Sequence, residues 1–250
     1  MRHRFFAKSL IGALLFATLS ACASSGIISQ DRINAKADSQ WNSILQTTPQ
    51  VQDAAVRQGV AALAQNVLVA AGEDPSQWQI AVFDAPQTFN AFALPNKRIG
   101  VFSGLLATVE NADQFAAVIG HEVAHVRLKH VEARVNRSIA PNILIGVAKL
   151  PGQITGVPVV KSTGNVVGGV VQAGAVLPYN RDQEIDADTE GVTYAYKAGY
   201  DPRQAAVLWR KIEEATKAAG TSTPEFLSTH PSNERRIRAL EETARDLTGQ

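Results

Sequence analysis

The pentapeptide His121-Glu122-Val123-Ala124-His125 constrains this chain more than any other stretch. It lies in a run where Phe115, Val118, Ile119, Val123 and Val126 recur at helical spacing, so the segment reads as a helix with one apolar, buried side. Asp113 is placed to cap that helix, and the pattern carries it to about Arg137. Residues four apart on a helix share a face one turn apart, which sets the two imidazoles side by side. Neutral imidazoles are ordinary ligands of a tetrahedral Zn²⁺ ion, at about 2.0–2.1 Å. Glu122 lies about 100° round the helix, where it is not needed as a ligand. It is free to reach a water at an open coordination position and to act as general base and acid toward it.

The pair supplies two ligands, so a third must come from elsewhere. A histidine six residues after His125 would complete one known pattern, but position 131 is Val and position 128 is Leu. His130 follows His125 by five and points away on a continuous helix, so it reads as a solvated surface histidine. Downstream, Glu184 and Asp188 share a helix face at four-residue spacing, and so do Asp182 and Asp186. Spacing does not choose between the two pairs. Ala187 and Gly191 are small enough to let their helix approach another closely.

Around the pentapeptide the pattern is α+β, a mainly helical body with a small antiparallel three-strand sheet. Apolar residues recur at helical spacing from Pro49 to Ala71, and Gly72 closes that run. Three short runs then follow: 78–83, 88–94 and 98–102, separated by Pro86 and Pro95-Asn96. Ser103 can cap a short helix through Val109, and further helices are signalled over 181–198, 202–219 and 232–247. The segment 139–178 is rich in Gly, Val and Ala, and it is diluted by Asn165, Gln172 and four glycines between Ser162 and Asn180. It reads as a helical flap over a cleft, or as an apolar surface that meets partners.

The N-terminus is a leader. Arg2, Arg4 and Lys8 precede an uncharged apolar run from Ser9 to Ala21, too short to span a bilayer. It ends in Leu19-Ser20-Ala21-Cys22, which resembles a bacterial lipobox, and Cys22 is the single cysteine of the chain. The division that follows is residues 1–21 as signal peptide, 22–50 as lipidated tether and 51–250 as the folded domain. Without the leader the chain has 21 basic and 23 acidic residues. No basic block interleaved with aromatics is present, so nucleic acid is not an expected partner.

Three motifs in order, HEVAH, Glu184-x-x-x-Asp188 within NRDQEIDADTEG, and THPSNERRI, resemble the gluzincin metallopeptidases of the HtpX, CAAX prenyl protease and Oma type. The likeness covers roughly Val51 to Leu247 and is greatest to the soluble branch of periplasmic Loi-type outer-membrane lipoproteins. The resemblance implies a zincin-like domain with one Zn²⁺ on His121, His125 and Glu184, Glu122 as general base, and Asp188 as proton donor or as support for a ligand. It implies that His230 reaches the cleft, either to stabilise an oxyanion or to occupy the open metal position at rest. Arg236 is available to pair with an acid near the site. Asn90-Ala91-Phe92-Ala93 resembles the family's substrate-binding edge strand. The implied activity is endoproteolysis of unfolded or misassembled envelope proteins, at the periplasmic face of the outer membrane through lipidated Cys22. The alternative is a lipoprotein chaperone or assembly factor that binds such clients and rarely cuts them.

Overall fold

The computed structural model describes residues 29–134, 179–219, 227, 229–231 and 234–249. Residues 1–21, read above as a leader, Cys22 and the segment 139–178 lie outside the described residues. In chain order the elements are α1 (Gln30–Thr47), α2 (Ala54–Ala70), β1 (Gln79–Phe83), β2 (Ala91–Leu94), β3 (Arg98–Phe102), α3 (Ser103–Leu106), α4 (Ala112–Arg127), α5 (Arg181–Lys197), α6 (Arg203–Ala219) and α7 (Glu234–Thr248). The arrangement is α+β, mainly helical with one small sheet. Among the described residues no helix is long and apolar enough to cross a membrane.

The sheet departs from the expected antiparallel order. Its order is β1-β3-β2, with β1 parallel to β3 and β2 antiparallel to it. The chain leaves β1 and crosses to the far side before β2, so β3 returns into the gap between them. That places β2 at one edge. The other edge, along β1, is covered by the chain just before α2: Val51 N–H donates to Val82 O at 2.9 Å, and Asp84 N–H donates to Pro49 O at 2.7 Å.

The stretch read as a tether contains α1. Its composition is polar, but Ile33, Ala37, Trp41 and Ile44 fall on one stripe and are all buried. That stripe covers the face of the sheet bearing Phe83, Phe92 and Phe102, with Trp41 edge-on to Phe83 at 5.9 Å. Asp38 ties the helix down by accepting from Asn96 Nδ2 at 2.8 Å and pairing with Arg98. An amphipathic stripe needs only about one residue in four to be apolar, so average composition hid it.

The opposite face of the sheet, through Val82, Ala91, Ala93, Ile99 and Val101, joins the main core around α4. Asn111, not Asp113, caps α4 by accepting from Gln114 N–H at 2.9 Å, while Asp113 accepts from Asp201 N–H at 3.0 Å. The helix stops at Arg127, earlier than the pattern suggests. Lys129 takes the left-handed conformation with φ 57°, and residues 130–134 then turn helical again.

Helices α4 and α5 approach until their backbones touch. A Cβ on Gly191 would stand 2.5 Å from His121 N, and one on Gly120 would run into the Gly191 carbonyl. Ala187 is fully buried in the same seam. The capping box of Asn180 with Gln183 fixes where α5 begins and hence the phase of Glu184. Helices α6 and α7 close the core through Leu208, Trp209, Ile237 and Leu240.

Candidate metal centre

His121 and His125 project from α4 into the seam with α5, each no more than 1% exposed. Their Nε2 atoms lie 3.0 Å apart. Glu184, fully buried, places Oε2 at 3.6 Å from His121 Nε2 and Oε1 at 3.3 Å from His125 Nε2. His230 Nδ1 comes within 3.1 Å of His121 Nε2 and 3.3 Å of Glu184 Oε1. Asp182 and Asp186, equal candidates on spacing, are exposed, and Asp182 pairs with Arg235 at the surface at 3.0 Å.

These four side chains offer ligand atoms that all lie within 4.8 Å of one another. A tetrahedral ion with bonds of about 2.0–2.1 Å separates its ligands by about 3.3–3.4 Å. The separations given above, from 3.0 to 3.6 Å, bracket that edge. The charge states fit as well. Burial, helped by the nearby His121, holds the His125 imidazole well below the ordinary histidine value, so the ring is neutral as a metal ligand must be. Burial lowers His230 in the same way. Burial alone would raise the Glu184 carboxyl, but the Arg236 guanidinium and His230 outweigh it and hold the group well below the usual carboxylate range.

Around this group the supports differ. His121 Nδ1 lies 2.9 Å from Asp188 Oδ1. Arg236 grips Asp188 with two bonds, Nε to Oδ2 at 2.7 Å and Nη2 to Oδ1 at 2.8 Å. Its Nη1 reaches Glu184 Oε2 at 2.6 Å and donates to the carbonyls of His230 and Pro231, each at 3.2 Å. Arg236 is thus fully buried rather than a surface residue, and it pins the His230 loop to two acids of α5.

Three further side chains frame the imidazoles, and the sequence carried no signal for them. Tyr179 stacks on His125 at 3.8 Å, and Trp209 meets His121 edge-on at 5.7 Å. The third is His130, and here the expectation of a solvated histidine fails. His130 is buried, with Nδ1 3.1 Å from His125 Nδ1. The reversal at Lys129 removes it from the helical rotation on which that expectation rested.

Glu122 is buried and its Oε1 stands 3.5 Å from His230 Nε2. Burial pushes its carboxyl up, to about 7, while the backbone N–H of Ala93 donates to it. That bond locates β2 at the mouth of the site. Asn90 and Leu94 turn their carbonyls inward, to Phe102 and Lys97. By the alternation of an antiparallel pair, Ala91 and Ala93 turn their backbone groups away from β3, although both residues are buried. Residues 90–93, singled out from sequence, therefore form the rim strand beside Glu122.

The profile of Peptidase family M48 matches residues 50–244 of this chain. The chain belongs to peptidase family M48. Curated relatives agree with that placement. Mitochondrial metalloendopeptidase OMA1 of Schizosaccharomyces pombe is 30% identical over 185 residues, covering 73% of this chain and 51% of its own length. The zebrafish (Danio rerio) metalloendopeptidase OMA1 is 34% identical over 194 residues, 74% of this chain and 39% of that protein. The beta-barrel assembly-enhancing protease of Yersinia pestis is 26% identical over 153 residues, 59% of this chain and 31% of that protein. This M48 chain spans 31–51% of the length of these relatives. M48 peptidases are zinc-dependent, and the buried His/Glu group is of the kind that binds a metal.

Proposed function

We propose that this chain is a zinc-dependent endopeptidase in which His121, His125 and Glu184 hold one Zn²⁺ and Glu122 moves the proton. The observation that carries this reading is the buried convergence of those three donors with a carboxylate next to them in sequence and in space. When bound, zinc lowers the pKa of a water molecule and polarises a carbonyl oxygen. Glu122, whose burial leaves it close to neutrality, accepts the proton of the attacking water and delivers it to the departing amine. Asp188 Oδ1 stands 2.9 Å from His121 Nδ1, a carboxylate on the side of the ring away from Nε2 that favours the tautomer offering Nε2 to the ion.

The place of β2 at the edge of the sheet supports an extended peptide as substrate. The backbone groups of Ala91 and the carbonyl of Ala93 can pair with an unfolded segment that adds as a further strand once the edge is uncovered, which favours unfolded or misassembled clients over folded ones. Lipobox-like Cys22 and the assembly-enhancing protease among the relatives support clients of the cell envelope, met from an anchor in the outer membrane.

His230 has a defined place in this reading. Its Nδ1 lies 3.1 Å from His121 Nε2 and 3.3 Å from Glu184 Oε1, so with zinc bound this side chain would be a fourth ligand and would exclude the attacking water until it moved aside. A swing of the 229–231 loop away from Arg236 would move it.

The test is casein cleavage by the purified zinc-loaded chain. Glu122→Gln lowers the rate by about 10²–10⁴-fold while leaving zinc content at one per chain. His230→Ala raises basal cleavage if the residue is a gate and lowers it if the residue serves as an oxyanion donor. A wild-type chain with bound zinc and no cleavage, together with full function of Glu122→Gln in a deletion strain, would favour the chaperone alternative.

A further inference from the structure

His125 and His130 face each other through like atoms, Nδ1 to Nδ1 at 3.1 Å. Such a contact needs one hydrogen, so one ring donates and the other accepts. The other nitrogen of His125, Nε2, faces His121 Nε2 and Glu184 Oε1 at 3.0 and 3.3 Å. If that nitrogen binds the ion, the single hydrogen of a neutral His125 sits on Nδ1. His130 Nδ1 must then be the acceptor, and the hydrogen of His130 must sit on its own Nε2.

The backbone is shaped to make this contact. Lys129 stands at φ 57°, a conformation uncommon for a residue with a Cβ. It ends α4 one turn past His125 and restarts the helix at 130, which folds His130 back into the interior. On the opposite face of the His125 ring Tyr179 lies parallel at 3.8 Å, so the ring is held flat while its edge is held by His130.

We infer that His130 is a positioning residue of the metal site, accepting the His125 Nδ1–H and thereby fixing the tautomer and orientation in which His125 offers Nε2 to the ion. This rests on the zinc reading proposed above. The Nδ1 atoms of the two ligand imidazoles then face different groups, the Asp188 carboxylate at 2.9 Å for His121 and the His130 imidazole at 3.1 Å for His125. Partners that orient a ligand imidazole in this way are worth about 10–100-fold in metal affinity.

The experiment compares zinc affinity, by competition with a chromophoric chelator, for the wild type, His130→Leu and His130→Asn. Leucine fills the space without an acceptor, and the Asn Oδ1 can stand where Nδ1 stood. The expected result is about 10–100-fold weaker zinc binding for His130→Leu and recovery of most of that loss in His130→Asn. Equal loss in both variants, or wild-type affinity in both, overturns the inference. Long-range nitrogen–proton NMR of zinc-loaded wild type keeps the question answerable should a variant not fold. It reports the hydrogen of His130 on Nε2 and that of His125 on Nδ1, and the reverse assignment for His130 sinks the idea. A wild-type chain that takes up no zinc removes the underlying reading as well. Zinc binding without any difference among the variants removes the positioning role alone.

Discussion

The two imidazoles of the HEVAH segment sit one turn apart on the same helix, yet they look into different surroundings. On the α5 and α7 side, His121 meets Asp188, which is held by Arg236, which also holds Glu184 and the carbonyls of residues 230 and 231. His121, Glu184, Asp188 and Arg236 are each within 2% of complete burial, so this side is a buried network built round two carboxylates and a guanidinium. On the side of the turn after α4, His125 meets His130 and the face of Tyr179. The contrast follows from what each side must balance. Two buried carboxylates beside a cation site need a guanidinium to neutralise them whenever the ion is away. On the turn side the nearby cation, Arg134, lies over the Tyr179 ring at 4.0 Å, and His125 is held there by ring contacts.

The sharpest way to break that comparison is to remove the shared cation. Arg236→Met leaves Glu184 and Asp188 buried without a compensating charge and should cost about 3–5 kcal/mol in urea unfolding of the metal-free chain. Arg127→Met is the matched control, because Arg127 pairs with Glu73 at 2.8 Å but keeps 34% of its side-chain surface exposed, and it should cost no more than about 1 kcal/mol. Equal losses would show that the buried network is not what distinguishes the two sides.

A smaller effect is expected from Asp188→Asn, which keeps shape and the contact to His121 but removes the charge. Zinc affinity should fall about 10–100-fold, or roughly 1.4–2.8 kcal/mol, in a chelator titration. A fall no larger than that of Asp182→Asn, which alters an exposed carboxylate on the same helix, would count against the charged support of His121. The smallest change is Tyr179→Leu, which removes the stacked ring over His125. The loss of the ring interaction is worth about 0.5–1.5 kcal/mol beyond the area lost, read as a shift in thermal midpoint. Should it match Arg236→Met, the turn side would be carrying as much as the charged one.

Much of the site was legible because its parts are local. The four-residue spacing of His121 and His125, and again of Glu184 and Asp188, is a helical property that a one-dimensional string displays. The strand over 90–93, bounded by the turn at Pro95-Asn96, is local in the same way, whereas its place at the sheet edge was implied only by the resemblance. The helix hidden in the supposed tether shows the opposite case: its apolar stripe means something only against the Phe83, Phe92 and Phe102 face it covers. The sheet order failed for a related reason, since pairing between β1 and β3 is a contact between strands that are not successive in the chain.

By itself the sequence determined the helix, the pair of imidazoles, the adjacent carboxylate and a short set of acids from which a third ligand had to come. The choice of Glu184 and Asp188 over Asp182 and Asp186 was left to the tertiary structure, through the glycine seam at 120 and 191 that turns one face of α5 inward. The inward path of His130 was decided there too, by a single left-handed residue at 129. Periodicity reports which residues share a face. Only packing decides which face is buried, and one backbone torsion outside the helical region is enough to cancel the phase that periodicity assumes.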